Sequence, residues 1–263
     1  MIELKNISKT FNGGTHNAKT VIKSLNLTVD RDDFITIIGS NGAGKTTLFN
    51  LISGNMLPTE GSVVIENKDI TGDAEYKRAK YIGRIFQDPL LGTASTMTLE
   101  DNMMITCKKG FKWLKIGLNN RKREFFKKEL KKLNMGLEDR LKENVTLLSG
   151  GQRQALTLLM TVLSKPRIIL LDEHTAALDP RNASMVMDLT RKFIDQHSLT
   201  TMMITHNMQH AIEYGNRLLM MDGGDVIIDV KGDEKRELTV EKLISMFNDI
   251  RKKEFESDEV LLS

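Results

Sequence analysis

Gly39-Ser40-Asn41-Gly42-Ala43-Gly44-Lys45-Thr46 decides the fold of this chain. The stretch follows the apolar run Phe34-Ile35-Thr36-Ile37-Ile38, which reads as a strand, and Thr47-Leu48-Phe49-Asn50-Leu51-Ile52 continues it as a helix. That context is what the pattern G-x-x-x-x-G-K-[ST] needs. Glycines let the backbone wrap a phosphate closely with its N–H groups turned inward, and the helix N-terminus adds the positive end of its dipole. Lys45 then reaches the β- and γ-phosphates of a nucleotide, and the Thr46 hydroxyl is suited to hold Mg²⁺.

On both sides of this stretch, residues 1 to about 86 and about 160 to 240 alternate short β-rich runs with helical patterns. Ser62-Val63-Val64-Ile65, Arg167-Ile168-Ile169-Leu170-Leu171 and Thr200-Thr201-Met202-Met203-Ile204 are strand-like. Several such runs are almost wholly apolar, as parallel strands buried on both faces are. Alternation of this kind predicts an α/β domain. Between these regions, residues about 88 to 160 read as a helical lobe inserted into the α/β core. Within it, Arg121 to Leu133 is helical, with Phe125, Phe126, Leu130 and Leu133 apolar and seven cations on the remaining positions. Its basic face reads first as solvated surface; the sharper reading is contact with anionic lipid headgroups or with a partner's acidic loop. Another helix starts after Leu178, with Asp179 as its cap and Pro180 at its first position. The expected organisation is one domain over 1–240 containing that lobe, then a C-terminal helix and charged tail over 241–263.

Two further constellations carry chemistry. The strand 168–171 ends in Asp172-Glu173, and the carboxyl ends of strands are where open α/β sheets bind ligands. Asp172 is suited to position Mg²⁺ through its water shell, and Glu173 to polarise an attacking water. Leu148-Ser149-Gly150-Gly151-Gln152 is the most specific feature. Ser149 caps a helix, and two glycines expose N–H groups at its positive end, which makes a second anion site. Two phosphate-binding helix ends this far apart in one chain point to head-to-tail pairing of two copies, each nucleotide clamped between them.

With these residues the chain resembles the ABC ATPases over nearly its whole length. The order is that family's: the cradle Gly39 to Thr47, Gln87, Leu148 to Gln152, Asp172-Glu173, Ala176-Ala177-Leu178-Asp179 and His206. The resemblance implies a P-loop NTPase core with a mostly parallel sheet, an antiparallel β part near the N-terminus and the inserted helical subdomain. It implies ATP and Mg²⁺ as ligands, with Phe11 stacked on adenine. Gln87 would touch Mg²⁺ and water, Asp179 would communicate across the dimer, and His206 would meet the γ-phosphate and the attacking water. His174 and Ala176 depart from the commonest residues at their places, and neither removes a phosphate ligand. His16, His174, His197 and His210 have no place in the pattern and read as structural. The phrase Asp172 to Pro180 is similar to a bacterial subgroup found with permeases like those of branched-chain amino-acid importers and with a lipoprotein receptor; some of its members are assigned to aromatic amino acids.

Composition agrees. Of 263 residues, 40% are hydrophobic and 28% charged, enough to bury a core. The lone cysteine, Cys107, excludes an intramolecular disulfide and suits a reducing compartment, where it reads as a buried thiol. No basic segment followed by an apolar run opens the chain, and no window is apolar enough to span a bilayer. The expected setting is the cytoplasm, on the inner face of the membrane, with separate integral permease subunits, a second ATPase copy and, indirectly, a solute-binding protein. A net charge of +3 gives no reason to expect nucleic acid. The competing reading is a soluble ABC ATPase acting on nucleic acid or ribosomes.

Overall fold

A computed structural model describes residues 1–106 and 118–250. Along the chain run β1 (Ile2–Phe11), β2 (Lys19–Val29), β3 (Phe34–Gly39), α1 (Lys45–Ser53), β4 (Glu60–Ile65), β5 (Lys68–Asp69), α2 (Glu75–Arg78) and β6 (Ile82–Ile85). Then follow α3 (Leu99–Thr106), α4 (Asn120–Lys131), α5 (Gly150–Leu163), β7 (Ile168–Asp172), α6 (Pro180–His197), β8 (Thr201–Ile204), α7 (Met208–Glu213), β9 (Arg217–Asp222), β10 (Asp225–Lys231) and α8 (Asp233–Arg236). Residues 240–250 are helical, capped by Thr239, whose hydroxyl accepts from the Lys242 amide at 3.2 Å. Cys107 and the tail beyond 250 lie outside the described residues.

The chain divides into two compact units, Met1–Glu75 with the residues from Thr200 onward, and Tyr76–Leu199. In the first, β2, β1, β4 and β5 form an antiparallel sheet, so Ser62 to Ile65 pairs antiparallel with β1 (Ile2↔Ile65). Its alternating residues Ile2, Leu4, Ile22, Leu27, Val63 and Ile65 are buried, the half-buried pattern of antiparallel strands. β3 is parallel to both β8 (Ile35↔Met202) and β9 (Ile37↔Leu219), and β10 returns antiparallel to β9. Five of the six residues of β3 are buried, so it needs apolar side chains on both faces.

In the second unit β6 and β7 pair in parallel, Ile82↔Ile168 to Ile85↔Leu171, and every residue of β7 is buried. The expected lobe of 88–160 falls within this unit, with β6, β7 and α6 in the same compact body. The helix expected from Arg121 is α4, capped by Asn119, whose side chain accepts from the Lys122 amide. Phe126, Leu130 and Leu133 are buried as expected; Phe125 is not, and remains 44% exposed. At 100° per residue Phe125 points some way round from its neighbour Phe126, so only one of the pair faces inward. α6 begins as expected, with Asp179 accepting from the Asn182 amide and Pro180 in the first turn. Among the described residues no helix is long and apolar enough to cross a membrane.

Candidate nucleotide site

The first unit carries the cradle. β3 ends at Gly39 and α1 begins at Lys45, so residues 40–44 wrap the start of the helix. Gly39 has φ +150, and a Cβ there would lie 2.0 Å from the Met221 carbonyl oxygen of β9. No other residue fits between those strands. Gly44, at φ +100, is the backbone cap of α1, and its carbonyl accepts from the Leu48 amide at 2.8 Å. Ala43 is buried, whereas Asn41, Gly42 and Thr46 are exposed and Thr47 is half-buried. The Ser40 hydroxyl donates to Asp222 Oδ1 at 2.6 Å, tying the loop to the end of β9.

Lys45 is 6% exposed and folds back over its own loop, donating from Nζ to the carbonyls of Gly39 (2.7 Å) and Ser40 (2.9 Å). An ammonium held at the mouth of its own loop is suited to an anion, because charged oxygens bind it more strongly than carbonyls do. Exposed His206 follows β8, and Thr205 donates its amide to the Ile37 carbonyl, which sets that turn beside β3. Gly39, Ser40, Thr205 and His206 wall one cavity of about 220 Å³, closed by Met208 and Phe247 among others. The structure thus brings His206 to the cradle within one unit. Phe11, at the end of β1, is half-buried and carries the Lys9 ammonium 5.5 Å from its ring centroid.

The second unit carries the carboxylates and the capped glycine helix. Asp172 closes β7 and is 8% exposed; its Oδ2 accepts from the Arg84 guanidinium at 2.9 Å. Glu173 is half-buried with φ +50, a left-handed conformation that a residue with a Cβ adopts at a cost. Gln87 is exposed just beyond β6, and the preceding Phe86 carbonyl accepts from the buried Gln154 amide of α5 at 3.1 Å. Arg84 also lies over the Phe86 ring, 4.8 Å from its centroid. His174 is buried against Thr190 Oγ1 at 3.1 Å, the structural place expected for it.

Ser149 is exposed at the head of α5 and forms a full capping box with Gln152. The Ser149 hydroxyl accepts from the Gln152 amide at 3.3 Å, and Gln152 Oε1 accepts from the Ser149 amide at 3.1 Å. Accepting leaves the hydroxyl proton free to donate outward. Arg153 braces the approach, donating to the carbonyls of Val145, Thr146 and Leu148. A Cβ on Gly151 would lie 2.8 Å from the Asn182 side chain, and one on Gly150 would lie 3.2 Å from Leu178. Asn182 is in turn held by both carboxylate oxygens of Asp179, and these bonds push the Asp179 pKa below the ordinary carboxylate range, the Asn182 side chain having the largest effect. Ser149, Gly150 and Asp179 are therefore exposed at one corner of the second unit, with Gly151 buried against Asn182 beneath them.

Sequence reasoning missed Arg84, Gln154, Arg153 and Asn182. Only Arg84 carried a signal: an arginine between Ile82 and Ile85 in a strand needs a carboxylate. Thr46 in the first unit, and Gln87 and Asp172 in the second, each carry an oxygen donor of the kind that a hard divalent cation such as Mg²⁺ takes. Among the described residues no three His, Cys, Asp or Glu side chains cluster as a metal cage.

The family model described as ABC transporter matches residues 22–176. A tyrosine transport ATP-binding protein of Clostridioides difficile (strain R20291) is 42% identical over 252 residues, 94% of this chain and 98% of that protein. The methionine import ATP-binding protein MetN 2 of Enterococcus faecalis (strain ATCC 700802 / V583) is 35% identical over 88% of this chain, which spans 65% of that longer protein. Among solved structures, the dimeric bacterial ABC transporter cassette MJ0796 superposes with a TM-score of 0.73 at 28% identity, over 88% of this chain and 98% of that one. Its post-hydrolysis dimer bound to ADP and Pi superposes with a TM-score of 0.70 at 28% identity, with the same coverage. A model match over more than half of the chain, and a relative matched over almost its whole length, leave one assignment: the chain belongs to the ABC transporter family, as an ATP-binding and ATP-hydrolysing cassette with the P-loop NTPase fold.

Proposed function

We propose that two copies pair head to tail around two ATP molecules and drive solute import through separate permease subunits at the inner face of the membrane, with an amino acid of the aromatic class as the solute. The observation that carries the pairing is the capped turn at the head of α5, where Ser149 and Gly150 are exposed and Asp179 lies nearby through Asn182. The Ser149 hydroxyl and the amides of the helix start are suited to an anion, and in this reading that anion is a phosphate held by the cradle of a second copy. The tyrosine transport protein that this chain spans almost end to end supports the solute class.

In this reading the cradle from Gly39 to Thr47 wraps the phosphates with backbone N–H groups, and Lys45 leaves the Gly39 and Ser40 carbonyls for phosphate oxygens. Phe11 stacks on adenine. Thr46, Gln87 and Asp172, the last through water, hold Mg²⁺, which when bound neutralises charge on the phosphate oxygens. Glu173 orients a water for in-line attack and His206 donates to the γ-phosphate. Ser149, Gly150, Gly151 and Gln152 of the other copy close the pocket, and Asp179 reports closure across the interface. ATP bridging stabilises the closed pair and hydrolysis removes the bridge. Residues 1–240 would act as one cassette, with the helical segment 88–160 passing the movement to the permease, and a solute-binding protein would deliver the substrate outside.

Mixing two inactive variants tests the pairing. Lys45→Ala breaks every cradle, and Ser149→Arg blocks every capped end. In a mixed pair one site joins an intact cradle to an intact Ser149, so phosphate release reappears on mixing. No recovery, with both variants folded and able to pair, would refute the shared site.

A further inference from the structure

Between Asn120 and Lys132 the chain carries seven cations and two carboxylates. That local +5 exceeds the +3 of the whole chain, so all other residues together are slightly acidic. α4 spreads this charge unevenly. Phe126, Leu130 and Leu133 are buried on one side. Arg121, Phe125, Lys128 and Lys132 follow at helical spacing on the opposite, exposed side, with Lys127 and Lys131 flanking them. Arg123 is held by Glu100 at 2.9 Å, Lys132 by Glu129 at 2.6 Å and Lys127 by Glu124 at 3.4 Å. Among the described residues Arg121, Lys128 and Lys131 take part in no ion pair. Like charges three and four residues apart repel along a helix, and Lys127, Lys128, Lys131 and Lys132 are so spaced. In their midst Phe125 keeps 44% of its surface exposed.

We propose that the outward face of α4 is a peripheral docking surface for anionic phospholipid, separate from the nucleotide site. Arg121, Lys128 and Lys131 meet headgroup phosphates, and the Phe125 ring rests at the boundary of the acyl chains. A polyanionic surface relieves the repulsion among the lysines. A cationic helix face with an aromatic ring is the pattern that lies in a membrane interface. A nucleic acid duplex would meet the cations with its backbone phosphates but keeps its bases stacked away from the Phe125 ring. A transporter cassette also works beside a bilayer, so the surface would orient it there.

The test is flotation of the full chain with vesicles of phosphatidylcholine alone or mixed with phosphatidylglycerol. The chain is expected to float with the mixed vesicles, to stay behind with the neutral ones, and to be released by salt. Each of Arg121→Gln, Lys128→Gln and Lys131→Gln is expected to weaken partitioning about fivefold, the weight of one cation near an anionic surface. Phe125→Ala should weaken it with little change in salt dependence. All four positions are on the exposed face, so circular dichroism melts and basal ATP hydrolysis should match the parent. Equal binding to neutral vesicles, a triple Gln variant that floats like the parent, or tighter binding to duplex RNA than to the mixed vesicles would overturn the proposal. None of these outcomes touches the cradle or Ser149, so the paired-cassette reading stands or falls separately.

Discussion

Arg84 on β6 donates to the Asp172 carboxylate at the end of β7 across 2.9 Å. The strand register produces the pair: Arg84 lies opposite Leu170, and Asp172, two residues on, points to the same face. The side chains are 9% and 12% exposed, so each charge depends on the other. Removing one partner of a buried pair costs about 3–5 kcal/mol. Arg84→Met is therefore expected to lower the free energy of unfolding by about 3 kcal/mol, read as a shift in the urea midpoint with an unchanged slope. A loss indistinguishable from that of exposed-surface variants would mean that water screens the pair.

Glu173→Gln keeps the size of the side chain and therefore the turn at φ +50. In the proposed role it removes the proton acceptor. General-base groups contribute about 100- to 10,000-fold, so phosphate release should fall at least about 100-fold while ATP binding persists. In the proposed pairing hydrolysis is what releases the two copies, so the variant should run as a dimer in ATP and as the parent does without it. Turnover within a few-fold of the parent would remove Glu173 from the role of base.

Much of this was legible in the sequence because the cradle constrains its own surroundings. A strand must deliver Gly39, a helix must begin at Lys45, and the apolar runs at 34–38 and 168–171 require neighbours on both faces. The caps at Asn119, Ser149 and Asp179 are local in the chain, so residue type and spacing reveal two of them directly. What stayed hidden depends on contacts between distant residues. Arg84 finds Asp172 only through strand register, Asn182 meets Gly151 only through the packing of α6 on α5, and Gln154 reaches the Phe86 carbonyl from another helix. Phe125 and Phe126 are alike in sequence, and only the rotation of α4 separates the exposed ring from the buried one.

Lys45→Ala separates the two sets of partners that this ammonium serves. The ammonium donates to the Gly39 and Ser40 carbonyls, and in the proposed role it also meets phosphate. Hydrogen bonds to charged groups are worth about 1.5–3 kcal/mol, so ATP affinity measured by calorimetry should fall about ten- to a hundredfold. Unchanged affinity would count against the cradle.

Ser149 caps α5 and is also proposed to donate to a phosphate, and the two roles can be pulled apart. Ser149→Ala should cost about 1 kcal/mol through the lost cap and should also slow hydrolysis. Asn is as good a cap as Ser, so Ser149→Asn should recover the melting temperature. It should not recover ATP hydrolysis, because the larger amide does not reproduce the hydroxyl's position. Recovery of both would reduce Ser149 to a capping residue.

Lys235 offers a pH-dependent prediction. It is 4% exposed on α8, and its ammonium donates to the carbonyls of Ile212 (2.8 Å), Tyr214 (2.7 Å) and Gly215 (3.0 Å) at the far end of α7. α7 starts at Met208, two residues past His206, so the lysine holds the helix that carries the His206 turn. Burial pushes its pKa down to about 8 from the ordinary 10.5. The folded chain thus releases this proton near pH 8 and the unfolded chain only near 10.5. Between those values the unfolded chain binds more protons, so this group's contribution to stability rises with pH. Lys235→Met cannot titrate and leaves three carbonyls without a donor, a cost of about 1–3 kcal/mol per unsatisfied group. Chemical denaturation of both proteins across this window should show the parent's advantage over Lys235→Met widening as pH rises from 8 towards 10.5. A constant gap would mean that Lys235 keeps an ordinary pKa despite its burial, and that its three carbonyls hold the proton as firmly as water does.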